Sequence, residues 1–202
     1  MRSRKIRLHL IGVNCLALTL LASGCGYNDL QGLDEEVKGA WAEVQNQYQR
    51  RADLVPNLVE VVKGAAKFEQ DTLKQVIDAR SKATSVNLSV NDLSNPEAFK
   101  RFEEAQRNLS GALSRLLAVV ESYPDLKATG NVAQLQEELT ATENKIGFSR
   151  QLYNDTATQY NTKQQQFPTT LVAGLAKASP TDLWEIEDQA ERAVPHVDLS
   201  RR

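Results

Sequence analysis

The chain has 202 residues, of which 25% are charged and 6% aromatic, a composition typical of one helical soluble domain followed by a tail. Residues 1–25 hold four basic residues and no acidic residue, so the rest of the chain has 20 basic against 26 acidic residues. That acidic balance, without a long basic run, argues against nucleic acid as a partner.

The first 25 residues have the pattern of a signal peptide. A basic segment, Arg2–Arg7, precedes the apolar stretch Leu8–Leu21. The stretch is about 14 residues long, whereas a membrane-spanning helix needs about 20. Both cysteines of the chain, Cys15 and Cys25, lie in this segment, so residues 26–202 have neither a disulfide nor a thiol nucleophile.

The segment ends in Leu21-Ala-Ser-Gly-Cys25, which resembles the lipobox of bacterial lipoproteins. The resemblance implies cleavage before Cys25 and acylation of its thiol. We therefore expect a protein of the bacterial cell envelope that is attached to a membrane by lipid and faces the periplasm or the exterior. The alternative is a single uncleaved N-terminal membrane anchor.

The first predicted helix starts at Asn28-Asp-Leu-Gln31, which has the form of a capping box. Apolar residues then recur every three or four positions and form one stripe: Leu30, Leu33, Val37, Trp41, Val44 and Tyr48. Pro56 follows soon afterwards. A proline inside a helix costs roughly 3 kcal/mol, but within the first turn this cost vanishes, because those N–H groups have no partner anyway. We therefore predict a tight reversal between two antiparallel helices, with Asp53 as the N-cap of the second. The alternative is one kinked helix through residues 30–84, about 80 Å long.

The second and third predicted helices flank a polar connection. The second has a stripe formed by Leu58, Val62, Ala65, Phe68, Val76, Ala79 and Ala83. Residues 84–94 are rich in Ser and Asn and show no stripe, which predicts a loop. Asn95-Pro96-Glu97 then supplies a cap, a proline for the first turn and an acid favoured by the helix dipole. The third stripe consists of Phe99, Phe102, Leu109, Leu113, Leu116 and Val120, and Tyr123-Pro124 ends this helix.

The fourth predicted helix, residues 132–166, is the longest. Its stripe contains Val132, Leu135, Leu139, Ile146, Tyr153, Ala157 and Tyr160, with Thr142, Ser149 and Gln164 as polar interruptions, and Phe167-Pro168 ends it. Four such lengths with short connections predict an all-α fold, an antiparallel up-down-up-down four-helix bundle over residues 26–168. Residues 169–202 are predicted to be a C-terminal tail with short helices. We expect Trp184 in this tail to dock on the bundle rather than to sit at the bilayer interface.

Several segments together resemble the LemA family of membrane-anchored helical proteins. They are Tyr27-Asn28, Asp34-Glu-Glu-Val37, Ala40-Trp41, Gln49-Arg-Arg-Ala-Asp-Leu-Val-Pro-Asn-Leu-Val59, Val62-Lys-Gly64, Ala79-Arg80, Tyr123-Pro-Asp-Leu-Lys-Ala128, Leu135-Gln-Glu-Glu-Leu139, Thr142-Glu-Asn-Lys-Ile146, Tyr153-Asn154, Tyr160-Asn161 and Gln166-Phe-Pro168. The resemblance implies an antiparallel helical bundle that faces away from the cytoplasm on an N-terminal anchor, with a role in envelope maintenance and no established activity. The chain departs from the family pattern in its lipobox and in residues 169–202, which keep little beyond Val194-Pro-His-Val-Asp198.

Catalytic and metal-binding constellations are weak in this sequence. The one histidine after residue 25 is His196, near the C-terminus, and a ferritin-like di-iron bundle would need histidines on two helices. Adjacent carboxylates such as Glu103-Glu104 point about 100° apart on a helix and indicate a solvated face. We therefore predict a non-enzyme with no catalytic residue, no metal site and no cofactor.

Six polar residues lie on or beside the apolar stripes or at the predicted turns and form a candidate structural network: Arg51, Asp53, Asp125, Glu143, Arg150 and Asn154. A charge buried in a bundle must be paired or it costs several kcal/mol. Glu143 and Arg150 are two helical turns apart on one face. An internal ion-pair network that fixes the helix register is the favoured interpretation; the alternative is a polar groove that receives a peptide or a small ligand.

The leading functional hypothesis is a non-enzymatic lipoprotein that presents a rigid helical bundle to an envelope protein. A bundle with a polar interior site for a ligand or metal is the alternative. In the predicted topology the turn near Pro56 and the loop 123–131 share the tip farthest from the membrane. We predict that Arg50, Tyr123 and Lys127 form the partner surface there. The alternative is that the turn near Pro56 and the loop 123–131 have only a structural role, with Asp53 as a cap and Arg51 paired with Asp125.

Overall fold

The computed structural model describes residues 2–63, 70–123, 130–174, 176 and 178–184, with side chains from residue 26 onward. All regular structure in these ranges is helical, which confirms the all-α part of the predicted fold class. No helix is long and apolar enough, over the described residues, to cross a membrane. The helices are, in chain order, α1 (Arg2–Lys63), α2 (Gln70–Ser85), α3 (Pro96–Glu121), α4 (Gly130–Gln165) and α5 (Thr169–Ala173), with a 3-10 turn at Val90–Asp92 between α2 and α3.

Helix α1 is continuous over 62 residues, so two predictions about its ends are wrong. The capping-box sequence at Asn28 lies inside the helix, and the chain does not reverse at Pro56. Asp53 is not an N-cap: its carboxylate lies on the exposed face and accepts a hydrogen bond from Gln49 Nε2 at 2.8 Å. Helix α1 ends at Lys63, and α2 begins at Gln70.

Arg80 of α2 explains how Pro56 is tolerated inside α1. Proline has no N–H, so the carbonyl four residues earlier, that of Ala52, loses its helical donor. The Nε of Arg80 donates a hydrogen bond to that carbonyl oxygen at 2.7 Å. The orphaned acceptor is therefore satisfied by the neighbouring helix, and the proline becomes a contact between α1 and α2.

Pairs of contacting residues give the directions of the helices. Asp29 meets Lys163 and Arg51 meets Glu143, so α1 and α4 run in opposite directions. Gln106 of α3 bonds to Arg51 and Phe99 packs on Trp41, so α3 runs parallel to α1. Helix α2 returns along α1, since Arg80 meets Ala52 and, just beyond α2, Leu88 meets Trp41.

The start of α3 and the connection before it follow the sequence signals only in part. Asn95 caps α3 as predicted, with its Oδ1 accepting from the N–H of Ala98 at 3.2 Å and Pro96 in the first turn. The polar connection, however, also contributes to the core. Leu88 and Leu93 are buried, and the carbonyl of Leu88 accepts a hydrogen bond from the Trp41 indole at 3.1 Å.

The core has two apolar halves. The aromatic half contains Trp41, Tyr48, Phe99, Phe102, Tyr153 and Trp184. The aliphatic half contains Val55, Leu58, Val62, Leu109, Leu113, Leu116, Val120, Val132 and Leu139. Four residues at the boundary of the two halves form what we call the polar layer: Arg51, Gln106, Ser110 and Glu143.

Candidate functional site

Arg51 is the centre of the polar layer. Its side chain is buried, and its Nη1 donates to Glu143 Oε1 at 3.1 Å and to the Ser110 hydroxyl. Its Nη2 donates to the backbone carbonyl of Gln106 at 3.0 Å and to Gln106 Oε1 at 2.7 Å. Gln106 Nε2 in turn donates to the carbonyl of Ala83 at 3.2 Å. The layer therefore links α1, α3 and α4 through one guanidinium group, and Gln106 extends it to α2.

The electrostatics of the layer favour a structural role. The Glu143 carboxylate, which is partly exposed, compensates the buried charge of Arg51. The Arg51 guanidinium also lies 4.9 Å from the centre of the Tyr48 ring. Burial raises the pKa of the Tyr48 hydroxyl, which stays protonated at neutral pH. The layer thus holds one cation against one anion.

The six residues predicted as one network fall into separate places. Arg51 and Glu143 meet in the polar layer, whereas Asp53 lies on the surface of α1. Asp125 lies outside the described residues. Arg150 and Asn154 instead contact a segment of the C-terminal tail.

That segment, residues 178–184, has no helical structure and lies along α4; we call it the tail segment. Two asparagines of α4 hold its backbone. Asn161 donates to the carbonyl of Thr181 and accepts from its N–H, both at 2.8 Å. Asn154 makes the same two bonds to Trp184, at 3.1 and 2.9 Å. Each amide side chain therefore satisfies both polar groups of one residue, whatever side chain that residue has.

Further hydrogen bonds fix the tail segment between α4 and the connection before α3. The Tyr153 hydroxyl donates to the carbonyl of Asp182 at 2.8 Å, and the N–H of Asp182 donates to the carbonyl of Leu93 at 2.9 Å. Burial, and to a lesser degree the Asp182 charge, raise the pKa of Tyr153. All these bonds go to the backbone of the segment, so they do not select its sequence.

Trp184 supplies the side-chain contact of the tail segment. Its ring lies 5.0 Å from the ring centre of Phe99 and 6.2 Å from that of Phe102, and it is 7% exposed. The guanidinium of Arg150 covers its face at 4.4 Å, a cation–π contact. Trp184 thus docks on the bundle, as predicted from the sequence, and it completes the aromatic half of the core.

The fit of the tail segment leaves two polar atoms unsatisfied. The indole Nε1 of Trp184 and the Oδ2 of Asp182 are buried without a hydrogen-bond partner. Burial also raises the pKa of Asp182. A buried polar atom without a partner costs about 1–3 kcal/mol. The tail segment lies in a groove between α4 and the connection before α3. Its backbone is therefore well matched to this groove, while two of its side chains are not.

The predicted partner surface at the distal tip lies only partly within the described residues. Arg50 is exposed on α1, well before the end of that helix, because α1 continues through Pro56. Tyr123 follows the end of α3, which lies level with the end of α1 rather than with Arg50. Lys127 lies outside the described residues. A contact role for these side chains stays a prediction, but the described ones do not share one surface.

Within the described ranges, no group of three or more His, Cys, Asp or Glu side chains is placed to hold a metal ion. The acidic run at the start of the bundle has a structural partner: Lys38 pairs with both Asp34 and Glu35 at 2.7 Å. His196 and the side chain of Cys25 lie outside the part of the chain whose side chains are described.

The groove could have been recognised from one sequence signal. The pair Tyr-Asn occurs at Tyr153-Asn154 and again at Tyr160-Asn161, two helical turns later. This spacing repeats the same side chains on the same face of α4. Each tyrosine is buried and each asparagine faces the tail segment.

Over its described residues the protein is helical, with a polar layer in its core and the tail segment bound in a groove along α4. The sequence profile of the LemA family matches residues 40–199, most of the chain. The chain therefore belongs to the LemA family.

Individual relatives agree with this membership. The chain is 30% identical to Protein LemA of Metamycoplasma hominis over 85% of its own length and 72% of that protein. It is 24% identical to Magnetosome protein MamQ 2 of Paramagnetospirillum magneticum and 23% identical to Magnetosome protein MamQ of Magnetospirillum gryphiswaldense. In both cases 73% of this chain is matched, and the chain spans 60% of the relative's length.

Proposed function

We propose that the chain is a non-enzymatic lipoprotein of the bacterial cell envelope whose helices form an antiparallel up-down-up-down bundle that binds an extended segment of a partner protein. The observation that carries the proposal is the way the bundle holds its own tail segment. Asn154 and Asn161 grip the backbone alone, and an aromatic cavity accepts one side chain.

The spacing of the two asparagines suits an extended peptide. They lie two turns apart on α4, which is about 10.5 Å along the helix axis. Their partners, Thr181 and Trp184, are three residues apart, which is about 10 Å in an extended chain. Recognition through main-chain hydrogen bonds with a pocket for a single side chain is a common mode of peptide binding. A partner segment with an aromatic residue at the position of Trp184 has the required chemistry.

The protein's own tail segment fits the groove imperfectly, which supports its replacement by a segment of a partner protein. The indole N–H of Trp184 and one carboxylate oxygen of Asp182 are buried without partners. A partner segment with Phe at the position of Trp184 and an apolar residue at the position of Asp182 would avoid both penalties. We infer that the tail segment closes the groove until such a segment arrives.

A ligand or metal in the polar layer is the alternative function. Arg51 there meets Glu143, Ser110 and Gln106, so its charge and most of its donors are already satisfied within the protein. This arrangement favours a cross-link between helices over an open binding site, and we retain the peptide groove as the proposed site.

A labelled peptide tests the groove directly. We expect a fluorescein-labelled peptide with the sequence of residues 178–184 to bind the purified full-length protein carrying Trp184→Ala, because its indole can fill the vacated aromatic cavity. Binding to the unsubstituted protein should be weaker, since the tethered segment competes. Fluorescence polarisation in detergent measures both.

The matched controls are two asparagine variants in the Trp184→Ala background. Asn154→Ala combined with Asn161→Ala should abolish peptide binding, whereas Asn131→Ala, at an exposed position of the same helix, should leave it unchanged. A Trp184→Ala protein that keeps its helical circular dichroism but binds no peptide would refute the groove.

Attachment through Cys25 has its own test. Cys25→Ala should stop lipid attachment and cleavage together, so that an unprocessed precursor accumulates in cells. Mass spectrometry and membrane fractionation measure this outcome. A Cys25→Ala protein that is processed and fractionates like the parent would contradict lipidation at this residue.

A further inference from the structure

Three exposed apolar or aromatic side chains lie at the end of the bundle where Asp29 meets Lys163, and we call them the basal edge. Phe167 is 80% exposed, Leu171 66% and Tyr27 41%. These are large values for apolar side chains, and Phe167 is the most exposed large hydrophobic residue among those described. A group of this kind on a soluble surface marks a contact with a partner or a membrane.

The contacts of α1 place the basal edge beside the N-terminal segment. Lys163 near the end of α4 pairs with Asp29 of α1 at 2.8 Å. Helix α5 packs against α1. Gly26 lies so close to Thr169 that an added Cβ would be 3.1 Å from its hydroxyl oxygen. Because α1 and α4 run in opposite directions, residues that follow α4 lie level with residues that precede Asp29.

Both interpretations of the N-terminal segment bring a bilayer to this place. If Cys25 carries lipid, the acyl chains start one residue before Gly26. If the segment is uncleaved, the apolar stretch ends at Leu21, and α1 is continuous from there to Gly26, about 7.5 Å along its axis. In either case the bilayer surface lies within reach of side chains that surround Gly26, because interfacial side chains reach about 5–10 Å into a membrane.

The charges near the basal edge indicate which part of the membrane it meets. The nearest described charges, Asp29 and Lys163, neutralise each other in an ion pair. Among the side chains that the structure describes, the edge therefore has no surplus cation to attract anionic headgroups, and their contribution comes from apolar and aromatic groups. Aromatic residues are favoured at the boundary between headgroups and acyl chains.

We propose that Phe167 and Leu171, with Tyr27 at their side, insert into the membrane surface next to the anchor. This inference rests on the membrane attachment proposed above, but not on the peptide groove. Insertion adds a second contact to a single covalent anchor and holds the bundle at one orientation to the bilayer. The groove on α4 is then presented to partners at a fixed height and direction.

Tryptophan substitution with brominated lipid tests the insertion. The full-length protein with Phe167→Trp is reconstituted into phosphatidylcholine vesicles whose acyl chains carry bromine, which quenches tryptophan only on close approach. The matched control is Phe148→Trp, at an apolar side chain that is also strongly exposed, 70%, but lies about 28 Å away along α4. The native Trp41 and Trp184 contribute the same background to both proteins.

We expect the Phe167→Trp protein to lose a large part of its added emission in brominated vesicles, and the Phe148→Trp protein to lose none beyond the parent. If both variants sediment with the vesicles and bromine quenches their added emission equally, insertion would be overturned while attachment stays intact. Failure of both to sediment would overturn the attachment and the insertion together. Leu171→Trp should behave as Phe167→Trp does.

Discussion

Arg80 shows how a single side chain can decide the course of a helix. The Ala52 carbonyl has no helical donor because Pro56 lacks an N–H, and the Arg80 guanidinium replaces that donor at 2.7 Å. Without this contact a partly buried carbonyl would be left unsatisfied inside the bundle. The side chain and the proline therefore act as a unit, which a double-mutant cycle can measure.

We expect Arg80→Met to lower the free energy of unfolding by about 1–3 kcal/mol, since the Ala52 carbonyl loses its partner. In a Pro56→Ala background the same change should cost much less, because Ala at this position supplies the missing helical N–H. Urea denaturation of the four proteins measures the coupling. Equal losses in both backgrounds would mean that Arg80 stabilises the protein through some other contact.

At the scale of elements, apolar spacing predicts which faces are buried more reliably than it predicts where helices end. All six stripe residues of α3 are buried as expected. The predicted break at Pro56 is wrong because Arg80 of α2, far away in sequence, supplies the hydrogen-bond donor that the proline lacks. Leu88 and Leu93 are buried although their surroundings predict a solvated loop, since the connection folds over the Trp41 ring.

The groove was only partly predictable for a similar reason. The Tyr-Asn repeat on α4 and the docking of Trp184 can be inferred from spacing and apolarity. The pairing of each asparagine with one tail residue depends on the path of residues 178–184, which carry no helical or strand pattern. Long-range contacts of irregular segments leave no periodic signal in a sequence.

Asp182 gives the tail segment a pH dependence. Burial raises its pKa in the folded protein above the ordinary value of 3.8. A carboxyl group whose pKa is raised binds protons more tightly in the folded state than in the unfolded state. Its contribution to stability is therefore fully present below its ordinary pKa and decreases as the pH rises through its raised pKa. At neutral pH the charged Asp182 therefore opposes docking of the segment.

We expect Asp182→Asn to raise the melting temperature at pH 7, because the amide has no charge to desolvate. The difference between variant and parent should shrink as the pH falls through the raised pKa of Asp182, because the parent's carboxyl group then becomes protonated. Differential scanning calorimetry across this range measures the effect. Asp78→Asn, at an exposed position of α2, is the control, and a constant difference at every pH would contradict the assignment.

At the scale of the whole molecule, the polar layer separates two core halves that have different tasks. Among the described residues, the aliphatic half is built from α1 to α4, whereas the aromatic half also contains Trp184 from the tail. A partner that displaces the tail segment would therefore disturb one half and leave the other packed. Exchange of the segment then requires local opening rather than unfolding of the bundle.

Hydrogen exchange can distinguish local opening from global destabilisation. Trp184→Ala empties part of the aromatic cavity, so we expect faster amide exchange in the aromatic half, around Phe99 and Tyr153, and unchanged exchange around Leu116 in the aliphatic half. Leu113→Asp buries a carboxylate among the aliphatic residues and should cost several kcal/mol, which accelerates exchange in both halves. Mass spectrometry after proteolysis resolves the two regions. If Trp184→Ala accelerated exchange equally on both sides of Arg51, the two halves would form one cooperative unit, and the tail segment could not leave the groove without unfolding the bundle.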